Sequence, residues 1–546
     1  MALVDGSNVT ISHLGLVAGV YDSLGIGDLI DELIPKKRHH IVSHGTAVKA
    51  LLLNSLGFVE RRLYIMPDYF DDIATERLLG PGIHPDHLNE SLFGETLDAI
   101  ARFNPTHLFT AISLTMMKKL TSEPPKPQDS PRLHHDTSSF KVTGEYDSDF
   151  GTRLIQIVRG HSKDHRNDLN QFVMNMVTNQ HGIPVFMEPL SGNASDKKSL
   201  IRSIQAVRNN LVTDQRIYHI ADSAFYTKVN LQTLGTQCYW ISHVPNTIKE
   251  AKTLIHQEGI TWQPCADERY HSYELSSEYA GIPQKWVLYH SRDQQTRSEK
   301  KFTSRIEKQR KTDETALKKI FTHEYACETD ARAELDRWMR KHPRYVPVNI
   351  LVTMKNHRVN GRKGRPKNGE ELQEVFLISC KLMLIDEEIR REKERLGRFI
   401  LATNDCDLDP DTLLDWYKEQ GAVERGFRFL KDNSFHISEI YLKNPNRVAA
   451  VSMLMVLSLM VYTVTQWQIR EILKQQKKTV RDVKKQTDKP TTKRIYHLFR
   501  RVRQIEEVTD TGVECRILNY TDELQDITRL FGPGVNGGGK ILCVKN

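Results

Sequence analysis

Apolar residues recur every three or four positions in the first part of the chain, in stretches such as GIGDLIDELI, HGTAVKALLLNSLGF and LFGETLDAIARF. This spacing puts the apolar side chains on one face of a helix, so the pattern predicts helices. A polar, proline-rich stretch at residues 122–131, SEPPKPQDSP, ends the pattern. The sequence therefore predicts a helical N-terminal domain over residues 1–121, followed by a linker.

After the linker the pattern changes to short β-prone runs bounded by Gly, Pro, Asp or Asn, such as PRLHHDTSSFKVTG, TRLIQIVRG and RIYHIADSAF. Helix-like stretches, DKKSLIRSIQAVRNNL among them, lie between the later runs. Three successive strands, followed by alternating helices and strands, are typical of a mixed sheet covered by helices. We therefore predict an α/β domain whose first part spans residues 132–245.

The second half of the chain divides into three regions that differ in composition and in the pattern of apolar residues. Residues 246–372 are charged and irregular, which predicts an insertion into the sheet domain that contains some strands of its own. The sheet domain resumes over residues 373–470, with the strand-like stretch GRFILATN and a helix around residues 416–431. For residues 471–546 we predict a basic, helical C-terminal tail.

The positive charge of the chain is concentrated in that tail. Between Arg470 and Arg503 thirteen Lys or Arg residues stand against three acidic ones, while the whole chain carries a formal charge of +8. Such a segment suits a polyanionic partner, and a solvated helical face explains it equally well. Seven scattered cysteines without a Cys-x-x-Cys pair encode neither a disulfide framework nor a zinc site, and favour a reducing cytosolic setting.

One apolar run, VAAVSMLMVLSLMVYTV at residues 448–464, has the composition of a membrane span. Its seventeen residues lie at the lower limit of the length that crosses a bilayer. Because it directly follows a helix of the α/β domain, which needs a long apolar helix in its core, we predict a buried core helix and no membrane partner.

Three acidic residues lie where a sheet domain places ligand sites. Asp136 is in the middle of the first predicted strand, Asp222 follows a later strand at its carboxyl end, and Glu424 is on the helix of residues 416–431. Converging carboxylates repel one another, and a divalent cation such as Mg²⁺ or Mn²⁺ removes the conflict. Two such ions clamp the attacking and leaving oxygens of a phosphodiester. A turn and a surface ion pair are the ordinary alternatives for Asp222 and Glu424.

The predicted helix places Tyr417, Gln420, Glu424 and Lys431 on one face, within roughly 60° of one another. A lysine supplies a point charge for a phosphate, and a tyrosine supplies a hydroxyl donor or a stacking face. This face lies beside the apolar stripe, so it is expected at the rim of the sheet.

Together these residues resemble the bacterial insertion-sequence transposases that use two aspartates and a glutamate, and in particular the insertion-sequence-four superfamily. The family signature is Tyr, two residues, Arg, three residues, Glu, six residues and Lys; Tyr417, Gln420, Glu424 and Lys431 keep every interval. HHDTSSF, IADSAFYT and the stretch from GHSKDH to GNASD are similar to family segments around the two aspartates. Gln420 replaces an arginine that the family implies contacts transposon-end phosphate, and Arg428 is a candidate substitute.

The resemblance implies an RNase H-like catalytic core in which Asp136, Asp222 and Glu424 bind two Mg²⁺ (or Mn²⁺) ions. It implies DNA cleavage at the element ends and attack of the released 3′-hydroxyl on target DNA, with Tyr417 and Lys431 holding the DNA end. The implied partners are double-stranded DNA, which the N-terminal domain is expected to bind at the element's ends, and a second copy of the chain in the synaptic complex. No small-molecule cofactor is expected, and the implied location is the cytoplasm of a bacterium, at the nucleoid. An RNase H-like nuclease without strand transfer, and a silent DNA-binding protein derived from a transposase, remain alternatives.

Two further motifs have open interpretations. GRKGRPKNG, which contains Lys363 and Arg365, resembles an AT-hook that binds a narrow A·T minor groove, and a basic surface turn fits it equally well. His134 and His135 precede Asp136, but adjacent strand residues point to opposite faces. We therefore expect them to serve packing.

Overall fold

The computed structural model describes residues 8–38, 40–57, 66–120, 130–142, 144, 146, 153–163, 166–210, 216–234, 237–358, 372–432, 443–482, 485–509 and 512–531. The strands are β1 Asn8–Thr10, β2 Arg132–Lys141, β3 Gln171–Asn179, β4 Pro184–Ser191, β5 Tyr218–Ala221, β6 Tyr239–His243, β7 Gln263–Pro264, β8 Tyr270–Tyr279, β9 Ile282–Ser291, β10 Tyr345–Arg358, β11 Leu372–Leu384, β12 Arg398–Thr403, β13 Val480–Asp482, β14 Lys485–Thr487, β15 Arg503–Thr509 and β16 Gly512–Leu518.

The helices carry the N-terminal part of the chain and cover the sheet. They are α1 Leu14–Ser23, α2 Ile26–Leu33, α3 His44–Leu56, α4 Met66–Asp71, α5 Thr75–Leu79, α6 Glu90–Phe103, α7 Pro105–Leu120, α8 Asp196–Asn210, α9 Lys228–Leu234, α10 Lys249–His256, α11 Arg292–Thr322, α12 Glu328–Lys341, α13 Asp386–Glu394, α14 Pro410–Lys418, α15 Gly421–Leu430, α16 Pro445–Gln476, α17 Thr492–Phe499 and α18 Asp522–Leu530.

The centre of the fold is a nine-stranded mixed sheet with the order β4-β3-β2-β5-β6-β12-β9-β8-β7. β2 pairs in parallel with β5 and β5 in parallel with β6, whereas β2 pairs antiparallel with β3. Every residue of β3 is buried, because helices cover both faces there and leave no solvent side for the usual polar alternation. The predicted α/β class, a mixed sheet flanked by helices, is confirmed.

The longest apolar helix, α16, lies in the main core. Every residue from Val448 to Val461 is buried, and the helix packs against α3, α6 and α7 on one side and β4 and α15 on the other. In the described part of the chain α16 is the one helix long and apolar enough to cross a membrane, and 83% of its most apolar window is buried in the protein. The predicted buried core helix is thus confirmed.

The N-terminal helices share this core with the sheet domain. Helix caps set the beginnings of two of them: the Ser43 side chain accepts from the amide of Thr46 at α3, and Asn89 caps α6 in the same way. Arg447 at the start of α16 donates two hydrogen bonds of 2.8 Å to the carboxylate of Asp98 on α6. The helical N-terminal region therefore packs on the central sheet through α16.

The region predicted as an insertion divides into two parts. β8 and β9 pair with each other, and β9 pairs with β12, so residues up to Ser291 extend the central sheet. The remainder, from α11 to β11, forms a separate small core around Leu335, Trp338 and Ile378. β8 alternates between half-buried and exposed residues as an outer strand does, and its polar composition hid it among the charged residues around it.

Two other local predictions differ from the structure. The basic C-terminal tail was predicted to be helical, yet its described part contains the hairpins β13–β14 and β15–β16 beside α17 and α18. β15 also pairs with β1, so partners far away in sequence decide its structure. The stretch TRLIQIVRG, predicted as a strand, makes a single bridge from Val158 to Gln171 within its described residues.

Three buried histidines should make the fold sensitive to acid. Burial lowers the pKa of His13 to about 4 and that of His219 to about 3, and it holds the pKa of His135 well below the usual range. His135 hydrogen-bonds to both His219 and Ser203 at 2.9 Å, so these rings lie neutral between the sheet and α8.

We expect the free energy of unfolding to fall as the pH drops below the ordinary histidine value of about 6.5 toward the depressed folded values. His13, whose folded pKa is about 4, should account for about 2 kcal/mol of this loss between pH 7 and pH 5, because the unfolded chain takes up the proton more readily. His13→Gln, whose amide can still donate to the Leu56 carbonyl, should remove that part of the loss in urea titrations. His107→Gln, at an exposed position of α7, is the matched control. An unchanged pH dependence in His13→Gln would contradict the assignment.

Candidate active site at the edge of the central sheet

Asp136 and Asp222 lie beside each other on neighbouring strands. In the parallel pair of β2 and β5, His135 is opposite Ala221. The residues that follow them, Asp136 and Asp222, therefore lie at the same level of the sheet. Parallel neighbours are about 4.8 Å apart across a sheet. The backbone amides of Thr137 and Ala224 donate to the two carboxylates, at 2.7 and 3.0 Å, and fix their orientation. The structure thus brings two of the three predicted acids together.

An ammonium group compensates this pair of acids. The Lys163 Nζ atom lies 3.3 Å from the Asp136 carboxylate, 3.7 Å from that of Asp196 and 3.0 Å from the Thr137 hydroxyl. Burial raises the pKa of Asp136 to about 6; the charge of Lys163 opposes this rise and that of Asp222 adds to it. Burial lowers the pKa of Lys163, but the charges of the three aspartates outweigh it and keep the pKa above its ordinary value. Lys163 therefore offsets part of the negative charge that the three aspartates bring together.

Two glycines hold the loop that carries Lys163. A Cβ on Gly160 would collide with the carbonyl oxygen of Gly192, so only glycine permits the two backbones to approach this closely. The Gln171 side chain donates to the carbonyls of Gly192 and His161, at 2.8 and 3.3 Å, and fastens the loop to β3. Sequence reasoning missed Lys163 and Asp196 as site residues, although both lie in the GHSKDH and GNASD stretches.

Glu424 reaches the same edge from α15, which packs on β2, β3 and α16. Val423, Phe427 and Leu430 are buried on the packed face, and Glu424 is exposed at its border. Gly426 lies on the packed face, where a Cβ would come within 3.0 Å of Leu459 and 3.3 Å of Met176. The absence of a side chain there lets the helix lie against the sheet, which brings its first turn to the aspartates.

Tyr417 lies within electrostatic range of all three acids. Its half-buried phenol has a raised pKa, first because of burial and then because of the negative charges of Asp222, Glu424 and Asp136. The three carboxylates therefore act on one hydroxyl. Within the described residues, however, no three His, Cys, Asp or Glu side chains are close enough together to hold one metal ion.

The predicted single helical face is wrong, because the helix is interrupted. α14 ends at Lys418 and α15 begins at Gly421, with i to i−3 hydrogen bonds such as that from Ala422 to Glu419 tightening the turn. Gln420 lies in this turn at 6% exposure, and its side-chain oxygen has no hydrogen-bond partner among the described residues. In this arrangement its amide does not face the solvent, where a DNA phosphate would bind.

A buried ion pair fixes the turn to the sheet. Arg132, the first residue of β2, donates to both carboxylate oxygens of Glu419 at 2.8 and 3.2 Å, and its guanidinium lies 5.0 Å from the Trp416 ring centre. Such bidentate pairs are geometrically specific. The pair therefore sets the position of α15 relative to the strand that carries Asp136.

The other predicted residues have separate positions. Arg428 is exposed on α15, and the Lys431 ammonium lies 5.4 Å from the centre of the Phe140 ring. His134 and His135 are both fully buried, as expected for packing. Lys363 and Arg365 lie outside the described residues. Sequence reasoning did not foresee His243, which ends β6 at the level of Asp222 and whose pKa burial lowers.

Two family models match parts of this chain. A family model described as "Transposase DDE domain" matches residues 127–461, which include all the strands of the central sheet and all three acids. A second model, described as "Domain of unknown function (DUF4277)", matches residues 7–114. A search of curated proteins found no match.

The close packing at Gly426 can be tested against the second glycine of α15. Gly426→Val should destabilise the protein by about 1–3 kcal/mol, because the new side chain overpacks against Leu459 and Met176. Gly421→Ala should change the stability by less than about 1 kcal/mol, since its Cβ meets only the mobile end of Arg425. Urea unfolding measures both. Equal stability of the two variants would show that α15 does not depend on the close approach.

Proposed function

Because the chain belongs to the transposase family that the DDE-domain model describes, we propose that it cuts DNA at the ends of an insertion sequence and joins the released end to target DNA. Membership of the family gives the chain a DNA substrate and a role in the transposition of a mobile element. The observation that carries the finer proposal is the side-by-side position of Asp136 and Asp222, with Glu424 acting on the same tyrosine.

Transposases of this family generally use divalent metal ions, and the donor set of the site suits them. Asp136 and Asp222 are oxygen ligands in electrostatic conflict, which a hard cation relieves. We propose that Asp136, Asp222 and Glu424 hold two Mg²⁺ (or Mn²⁺) ions. When bound, such ions lower the pKa of water and stabilise charge on the transferring phosphate. The Lys163 ammonium takes part of that electrostatic role beside Asp136.

The proposed reaction has two steps of the same kind. In the first, the oxygen of water attacks the phosphorus at the element end; the bond to the 3′-oxygen breaks, leaving a 3′-hydroxyl and a 5′-phosphate. In the second, that 3′-hydroxyl oxygen attacks a target phosphodiester, a new phosphorus–oxygen bond forms, and a target 3′-hydroxyl leaves. No bond to the protein forms in either step.

The side chains around the acids would bind and orient the DNA. Tyr417 keeps its proton, because burial and three negative charges oppose its loss, so it can donate a hydrogen bond to a phosphate oxygen. Arg428 on α15 and Lys431 directly after it follow Glu424 and would bring positive charge to the same edge. Two element ends must be held together for the joining step, so we propose that a homodimer assembles on DNA.

Replacement of the acids tests the function directly. Asp136→Asn, Asp222→Asn and Glu424→Gln should each reduce cleavage of a labelled element end by at least about 100-fold, since even outer-shell partners of metal ligands cost 10–100-fold. The assay contains Mg²⁺ and a target plasmid, and the inverted repeats that flank the gene supply the substrate. DNA binding should persist in all three variants.

The control is Asp526→Asn, an exposed carboxylate on α18 that should leave cleavage unchanged. Cut product without joined product would favour a nuclease, and Mg²⁺-independent binding alone would favour a silent DNA-binding protein. Retained cleavage in Asp136→Asn would remove that residue from the site.

The ammonium at Asp136 can be tested without activity. Lys163→Met should destabilise the metal-free protein by about 1–3 kcal/mol, because it leaves a buried carboxylate without its partner. Mg²⁺ should then raise the melting temperature of Lys163→Met more than that of the unchanged protein, because the ion supplies the missing positive charge. Arg166→Met, an exposed cation on the same loop, is the control. An equal response to Mg²⁺ in both variants would contradict the role of Lys163.

A further inference from the structure

The long helix α11 has one face on which every charged residue from Arg297 to Lys319 is basic, and the other residues of this face include Ser304, Thr312 and Thr315. Its six exposed cations are Arg297, Lys301, Arg305, Lys308, Lys311 and Lys319, which we call the basic face of α11. At 100° per residue they lie within an arc of roughly 120°. The centre of this arc is roughly 150° from the centre of the buried residues Phe302, Asp313 and Leu317. The centre of this face therefore points away from the protein, while Arg305 at its border has its guanidinium 5.4 Å from the ring centre of the buried Phe302.

Solvated helical faces usually alternate charges of both signs, and this face does not. Cations at i, i+4 such as Lys301 and Arg305 repel each other and destabilise a helix. In the described residues none of the six cations forms an ion pair, whereas Arg310, on another side of α11, pairs with Glu314 at 2.8 Å. An anion bound from outside would relieve this repulsion.

The position of α11 relates this face to the acids. β5 and β6 are parallel, β12 is antiparallel to β6, and β9 is antiparallel to β12. The carboxyl end of β9, where α11 begins at Arg292, thus lies at the same sheet edge as Asp222. Three strand spacings separate β5 from β9, which is about 14 Å.

The dimensions fit a duplex. From Arg297 to Lys319 the face is about 33 Å long, because each helical residue rises 1.5 Å. One turn of B-DNA is about 34–36 Å long and presents phosphates on its outer surface throughout. We propose that the basic face of α11 binds the phosphate backbone of duplex DNA next to the phosphodiester held at the acids. This inference rests on the proposed function for the identity of the polyanion, which is DNA. It assigns to α11 the binding of DNA without recognition of the base sequence.

A neutral variant tests the surface. Lys301→Gln, Arg305→Gln, Lys308→Gln and Lys311→Gln together remove four charges and keep good helix formers. Binding of a fluorescein-labelled 30-base-pair duplex of mixed sequence is measured by anisotropy over a KCl series. Each phosphate contact contributes about 0.9 to the slope of log affinity against log salt, which is roughly fivefold at 0.15 M. We expect affinity to fall by about 25-fold or more and the slope to decrease by about 2 or more.

The matched control removes four exposed cations that already have partners: Arg310→Gln, Arg332→Gln, Arg337→Gln and Arg390→Gln. It has the same net charge and should lose less than about threefold in affinity. Equal losses in both variants would overturn the proposal, because they would reflect net charge alone. So would a loss seen with heparin or duplex RNA but not with DNA.

The test of DNA binding by α11 can be distinguished from the test of catalysis in two ways. The binding assay needs no metal and no cleavage, so it reads out even if the acids prove inactive. Conversely, a four-site variant that cuts DNA and binds it as tightly as the unchanged protein would refute the α11 surface and leave the proposed function intact. Should the four-site variant fail to fold, Lys301→Gln with Lys308→Gln should show about half of the slope change.

Discussion

The repulsion between two neighbouring carboxylates is the constraint around which the site is built. The parallel register of β2 and β5 places Asp136 beside Asp222, and no change of rotamer can separate residues on adjacent strands. The positive charge of Lys163 reduces this repulsion, and the loop that carries Lys163 depends on Gly160 for its close approach to Gly192. A positive charge at this edge therefore stabilises the folded protein, apart from any part it has in the proposed reaction.

The third acid depends on packing at longer range. Glu424 comes close to the edge that carries the two aspartates because α15 lies flat on the sheet. α15 can lie flat because Gly426 has no side chain between Leu459 and Met176. The Arg132–Glu419 pair then sets the start of α15 against β2. Helix, sheet and core helix thus fix one exposed carboxylate together, which explains why a glycine at position 426 is favourable here although glycine weakens an isolated helix.

The sequence predicted those elements of the fold whose signal lies within a short stretch of residues. The strands of Asp136 and Asp222 and the apolar helix α16 each carry their signal within a few neighbouring residues, so they could be located from the sequence. The break at Gln420 could not, because each half of the helix keeps a regular apolar spacing. β8 is a polar strand, β9 and β15 each have one partner that is distant in sequence, and Lys163 meets Asp136 only after the sheet has formed.

The pairing of β1 with β15 joins residues about five hundred positions apart, with Arg503 bonded to the Asn8 carbonyl. At translation rates of 5–20 residues per second, the first strand waits about 25–100 s for its neighbour. The early helices wait nearly as long for α16, and their apolar surfaces stay uncovered meanwhile. Newly made chains therefore remain incompletely folded on the ribosome during this interval, because β1 cannot pair before β15 has been made.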